Sequence, residues 1–284
     1  MTSCLLAVAL SFSSVQGDSS FHSTDSESNE PLGITSPLHV LTSAYGTLGS
    51  YSTSTDTRSL SSYVTLTNSW RDYYTLGFSA LWLQRSDAGG KYYSQQVATA
   101  RALAFVTDQI SLSGHYAYLN EGEIANYSGA AVFHWLGGGA NYWFSYWSYV
   151  GTSISISLSK GNLAASAFRG WYSLDLGGGI WATSMAVVTG AEWAPYLFTF
   201  RQVVSVPLGN ESYIIGWADI GRRGFYFDDE SLVAYNQREI QTGAYAVKGI
   251  VKIVKNVYAI PSFELGSFDD YTVKYGSLGI RVIF

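Results

Sequence analysis

Between residues 141 and 158 the chain alternates. Tyr142, Phe144, Tyr146, Val150, Ile154, Ile156 and Leu158 share one parity, interrupted by Ser148 and Thr152. Trp143, Ser145, Trp147, Tyr149, Gly151, Ser153, Ser155 and Ser157 occupy the other. A period of two puts successive side chains on opposite faces of a strand, so one face is a hydrophobic band and the other is largely Ser and Gly. The segment from Asn162 repeats the plan: Phe168, Tyr172, Leu174 and Leu176 oppose Ala165, Ala167, Arg169, Trp171, Ser173 and Asp175. In 195–207, Tyr196, Phe198, Phe200, Val204 and Val206 share a face, interrupted by Gln202, against Leu197, Thr199, Arg201, Val203 and Ser205. Residues 270–284 close the pattern, with Leu278, Ile280, Val282 and Phe284 on one face and Tyr275, Ser277, Gly279, Arg281 and Ile283 on the other.

Turn signals divide the chain from Pro37 onward into fourteen strand-length segments: 37–52, 57–68, 72–85, 92–106, 109–120, 128–137, 141–158, 162–176, 179–192, 195–207, 211–221, 235–248, 251–264 and 270–284. A turn hidden near Gly151 changes the count, and twelve strands are the alternative. The stretch 94–106, SQQVATARALAFV, is Ala-rich and can also be drawn as a helix. The rhythm of its neighbours makes it a strand. Connections alternate between short (68–71, 107–108, 136–140, 177–179, 208–210, 249–250) and longer, more charged ones. The longest of these, 221–234, carries Arg222, Arg223, Asp228, Asp229 and Glu230.

Composition decides what these strands face. Charged residues are 13% of the chain, against about 25% in an ordinary soluble domain, while Tyr numbers 22 and Trp 9. Such rings suit a boundary with one apolar and one wet side. No run of about 18 apolar residues is present, so no transmembrane helix is expected. In hydrocarbon every backbone N–H and C=O must pair internally, so a membrane protein without apolar helices must be a closed sheet. A soluble sandwich also alternates, but its outer face carries charge. Here the non-apolar face is Ser, Gly, Thr, Tyr and occasional Arg, which suits a hydrated interior. The net charge of −5 argues against a nucleic-acid surface.

Leu5–Leu10 is a compact apolar block followed by Val15-Gln16-Gly17, and residues 1–17 read as a secretory signal peptide without its usual basic residues. Residues 18–36 are acidic and Ser-rich, a mobile tail that buries too little to order itself. Residues 37–284 form the barrel.

The terminal strand, with Leu278, Ile280, Val282 and Phe284, resembles the last strand of the outer-membrane β-barrel proteins, which typically ends in Phe after alternating apolar residues. In that class the barrel-assembly machinery reads this end. The resemblance implies an all-β, antiparallel up-and-down transmembrane β-barrel in the bacterial outer membrane, surrounded by lipid and lipopolysaccharide. In length the chain is similar to the monomeric outer-membrane porins. The function this implies is a passive pore for small hydrophilic solutes or ions. The alternatives are a non-conducting barrel in adhesion, surface structure or envelope biogenesis, and a lipid-modifying barrel enzyme.

Little else carries chemistry. The single cysteine, Cys4, lies in the expected signal segment, and no two of the four histidines have metal-ligand spacing. No metal or cofactor is expected. His115 and His134 stand among aromatics rather than beside a candidate nucleophile, so no catalytic residue is assigned and the chain is not expected to be an enzyme. The triple-glycine runs 137–139 and 177–179 lack the Lys-Ser/Thr of a phosphate loop and read as turns. The strand parities point Arg169, Asp175, Arg201 and Arg281 inward, as candidate pore-lining residues. A ring of basic side chains in a pore favours anions.

Overall fold

The computed structural model describes residues 38–52, 55–68, 72–85, 92–123, 131–145, 147–191, 194–224, 226–228, 233–235 and 240–284. The expected signal peptide (1–17) and tail (18–36), and the Asp229-Glu230 pair, lie outside the described residues. The strands are β1 (Leu38–Tyr51), β2 (Thr55–Asn68), β3 (Asp72–Arg85), β4 (Tyr92–Phe105), β5 (Ile110–Glu123), β6 (Ala131–Ser145), β7 (Ser148–Ser159) and β8 (Asn162–Asp175). They continue with β9 (Trp181–Ala191), β10 (Ala194–Gly209), β11 (Ser212–Arg223), β12 (Tyr226–Asp228), β13 (Val233–Tyr235), β14 (Gln241–Val254), β15 (Val257–Phe268) and β16 (Thr272–Ile283).

Each strand except β12 and β13 pairs antiparallel with its sequence neighbours, and β11 pairs with β14 across the long connection. The ring closes where β1 pairs with β16, from Leu41 opposite Ile283 to Tyr51 opposite Val273. Phe284 N–H donates to the Val40 carbonyl at 2.8 Å and extends the seam to the last residue. Closure leaves the ring no free sheet edge, so its strands pair on both sides along their ladders. A strand of 14 residues such as β1 spans about 46 Å at roughly 3.3 Å per residue. Tilted at about 40°, it still covers a hydrocarbon layer of about 25–30 Å.

The two faces follow the sequence parities. Leu48, Leu76, Leu112, Ile154, Phe198 and Leu278, spaced around the ring, are exposed on its outside. The opposite parity is buried: Ser153, Ser155 and Ser157 on β7, Ala165, Ala167 and Arg169 on β8, Val273 and Tyr275 on β16. Three cross-strand pairs seat an aromatic ring on a facing glycine. Tyr45 lies on Gly279, His115 on Gly137, and Trp171 on Gly151, and a Cβ at any of these glycines would strike the ring. Glycine is needed at these positions for close approach rather than for a turn.

Three expectations are corrected. Gly137–Gly139 is not a turn but the middle of β6, where the missing Cβ makes room for the His115 ring. The segment 141–158 is not one strand: β6 and β7 meet at a turn around Trp147, whose N–H donates to Ser145 Oγ at 3.2 Å. Likewise 249–250 lies within β14, and the chain reverses at Lys255–Asn256, where Asn256 takes a left-handed φ of 63°. The 177–179 run does turn, with all three glycines left-handed. The Ala-rich 94–106 stretch is mostly strand β4, its Ala98, Ala102 and Ala104 facing outward.

Candidate functional site

The inner wall of the barrel carries the chemistry. Arg201 on β10 and Asp219 on β11 are cross-strand partners. Arg201 Nε donates to Asp219 Oδ1 at 2.6 Å and Nη2 to Oδ2 at 3.0 Å, a two-bond fork that fixes both groups. Arg223, four residues further along β11, reaches the same carboxylate at 2.7 Å. Its Nε also donates to the Gln241 side-chain oxygen on β14. The β11–β14 register shifts between Ile220 and Arg223, and Gly221 there has a φ of 116° that disfavours any other residue. All three charged groups are nearly fully buried.

Of the residues expected inside, all four lie on the inner parity, but they do not form one ring. Arg201 belongs to the ion-pair network above. Arg169 donates from Nε (3.0 Å) and Nη2 (2.8 Å) to Ser153 Oγ and lies over the Trp171 ring at 5.8 Å. Asp175 accepts from Gly177 N–H at 2.8 Å, which makes it a turn residue. Arg281 reaches Ser43 Oγ at 3.4 Å, at the seam. Leu278, Ile280 and Phe284 are exposed on the outer face, with Val282 half-buried beside them.

Sequence reasoning missed Asp219, Arg223, Lys248 and Glu264, and placed Arg223 in an outer loop. The available signal was the rarity of charge within strands: Asp219, Lys248 and Glu264 each stand next to an outward apolar residue, Ile220, Val247 and Phe263, whereas Arg223 follows Arg222 and carries no such signal. Lys248 lies over the Tyr45 ring at 5.8 Å. Among the described buried groups the charges are Arg101, Arg169, Arg201, Arg223 and Lys248 against Asp219 and Glu264, so five minus two leaves three positive charges in excess.

His115 and His134 go to opposite faces. His115 is buried inside, against Gly137. His134 is on the outer face, where its Nδ1 and the Tyr116 hydroxyl are 2.8 Å apart. At the turn between β10 and β11, Glu211 accepts from Lys252 Nζ at 2.5 Å and from the Tyr258 hydroxyl at 2.6 Å. The Lys252 bond, then the Tyr258 bond, hold its carboxyl below the usual range.

No protein-family model matches the chain, and no curated protein does. Solved structures do. The ΔS2 mutant of the TodX monoaromatic hydrocarbon channel superposes with a TM-score of 0.55 at 8% identity, covering 87% of this chain and 88% of that one. A Pseudomonas aeruginosa FadL homologue gives 0.54 at 7% identity, with 86% and 90% covered. The Ralstonia pickettii toluene transporter TbuX gives 0.50 at 10% identity, with 87% and 88% covered. At such identities the likeness is one of fold alone, and the fold shared with these channels is a closed antiparallel up-and-down β-barrel.

Proposed function

We propose that the protein sits in the bacterial outer membrane as a passive pore for small hydrophilic solutes or ions, with a preference for anions. The observation that carries this reading is the contrast between the two faces of one closed ring. The outside exposes large apolar side chains on twelve of the fourteen barrel strands, a surface that hydrocarbon covers and water does not. The inside is hydroxylated and charged, with cations in excess among its buried groups. The hydrocarbons named for TodX and TbuX are not carried over, because only the fold is shared and an inner wall holding Arg201, Asp219, Arg223 and Glu264 is a poor solvent for them. Lipid and lipopolysaccharide are the proposed surroundings, and the strand ending in Leu278, Ile280, Val282 and Phe284 is the proposed signal for the barrel-assembly machinery.

Single-channel conductance of the refolded full chain in a planar bilayer tests this. Stable steps with an anion bias are expected, and neutralising Arg169, Arg201 or Arg281 should lower that bias. A folded, heat-modifiable barrel that passes no current sinks the pore. One observation favours a second reading, a non-conducting barrel in surface structure or envelope biogenesis. Arg169, Arg201, Lys248 and Glu264 are each only 2% exposed, so water is scarce along that part of the inner wall.

A further inference from the structure

On the outside of the barrel a primary amide interrupts the apolar band. Gln202 on β10 has the outward parity of Phe198, Phe200, Val204 and Leu208, all of them exposed. It stands four residues from Phe198 and six from Leu208. At roughly 3.3 Å per residue and a tilt of about 40°, it lies about 10 Å and about 15 Å from them along the barrel axis. The amide is therefore held within the band that hydrocarbon covers, where only protein groups can pair it. Its neighbours satisfy part of it. Ser184 Oγ, on the cross-strand partner in β9, donates to Gln202 Oε1 at 2.7 Å, and Gln202 Nε2 donates to the Val203 carbonyl at 3.3 Å. A primary amide has two N–H donors and an oxygen with two lone pairs, so one donor and one lone pair are left over. Thr152, another outward polar residue, shows the contrast: its hydroxyl has a single donor, used on the Arg169 carbonyl at 3.0 Å. Gln202 is half-buried rather than enclosed, so a partner can reach it.

The wall beside Gln202 is recessed. β9 is one of two ring strands without an exposed large apolar side chain, and Ala182, Ser184 and Ala186 are its outward residues at this level. Phe168 and Tyr172 on β8 and Phe198 and Phe200 on β10 stand exposed on either side. β8 and β10 lie about 10 Å apart across β9, two strand spacings of roughly 4.8 Å. The recess alone selects no occupant, since lipid tails also fit it. The amide does select one, because lipid tails bring no hydrogen-bonding group. Copies of a membrane protein share one orientation and one depth. A two-fold axis along the membrane normal therefore sets two Gln202 side chains level with each other, as an isologous contact requires. A primary amide is its own complement: the spare donor of each meets the spare lone pair of the other.

We infer that the β8–β10 face is the contact between two copies of this chain, an isologous dimer in the membrane plane in which the two Gln202 amides bond each other. The inference rests on the outside facing lipid, as proposed above, and not on conduction. Sedimentation equilibrium of the refolded full chain in a neutrally buoyant detergent should show a monomer–dimer equilibrium. Gln202→Leu, which removes the amide at similar size, should raise the dissociation constant about tenfold, on the order expected for two side-chain hydrogen bonds formed in lipid. Ser184→Phe, which fills the recess, should abolish association. Cysteine cross-linking in the outer-membrane fraction, in a Cys4→Ser background with a membrane-permeant oxidant, locates the contact. Gln202→Cys should give a disulfide-linked dimer. Leu76→Cys should not, because β3 lies seven strands from β10 in either direction around the ring. Heat modifiability on a gel confirms that each variant is folded. A monomer at every concentration, a Gln202→Leu variant that associates like the parent, or a cross-link no stronger at 202 than at 76 overturns the inference. A chain absent from the membrane fraction overturns the membrane reading and the dimer with it, whereas a membrane-inserted monomer overturns the dimer alone.

Discussion

Asp219 is the residue whose loss should cost the barrel most. It is 1% exposed and holds two guanidiniums at once, Arg201 through bonds of 2.6 and 3.0 Å and Arg223 at 2.7 Å. Asp219→Ala leaves both cations buried, repelling each other and short of acceptors. Breaking a buried ion pair by removing one partner costs about 3–5 kcal/mol, so about 4 kcal/mol is expected here, roughly a thousandfold in the unfolding equilibrium. Arg201→Met supplies the comparison. It preserves side-chain length and leaves Asp219 paired with Arg223, so the loss should be about half, near 2 kcal/mol, on the scale of one charge-assisted interaction. The assay is urea unfolding of the protein in phosphatidylcholine vesicles, followed by tryptophan fluorescence and checked by gel mobility of unboiled samples. The ordering is the sharper test, because it follows from one carboxylate serving two cations. An Asp219→Ala variant within about 0.5 kcal/mol of the parent, the range of an inconsequential surface change, refutes the argument. So does an Arg201→Met variant that is the less stable of the two.

Other expectations follow from local geometry. Glu211 has its carboxyl held below the ordinary value of 4.5 by Lys252 and then Tyr258, so its contribution is fully present above pH 4.5 and is lost as pH falls through the lower folded value. Glu211→Gln should flatten that acid-side fall of the urea midpoint, and an unchanged slope would remove the assignment. Gly279→Ala drives a methyl into the Tyr45 ring across the β1–β16 seam, an overpacking worth about 1–3 kcal/mol. Adding Tyr45→Ala should recover part of the loss, and strict additivity in the double-mutant cycle would show that the ring and glycine do not touch. Deleting Phe284 removes both the seam bonds to Val40 and the last outward aromatic. The heat-modifiable form in the outer-membrane fraction should fall several-fold, and an undiminished yield would sink the assembly role.

Alternation along the chain determined the class of fold and the direction of most side chains. A strand's period of two is a property of its backbone, so Arg169, Arg201 and Arg281 were placed on the inner parity by counting from Phe168, Phe200 and Ile280. Scarce charge, abundant Tyr and Trp, and no long apolar helix were enough to choose a closed ring over a sandwich. The exact turns were not legible, because glycine has two uses. At 177–179 it takes left-handed φ angles, while at 137–139 it lies flat in β6 and makes room for a ring from β5. Only pairing across strands separates these, and cross-strand register is a relation between distant residues. The same holds for the inner network. Arg201 and Asp219 are 18 residues apart and meet because β10 and β11 pair in one register, while a bulge near Gly221 returns Arg223 to the same carboxylate. Phe105, Trp143, Tyr149 and Trp181 come from four strands, and their rings meet only once those strands are in order. Local sequence encodes which way each side chain points; the sheet's register and closure decide which of them meet.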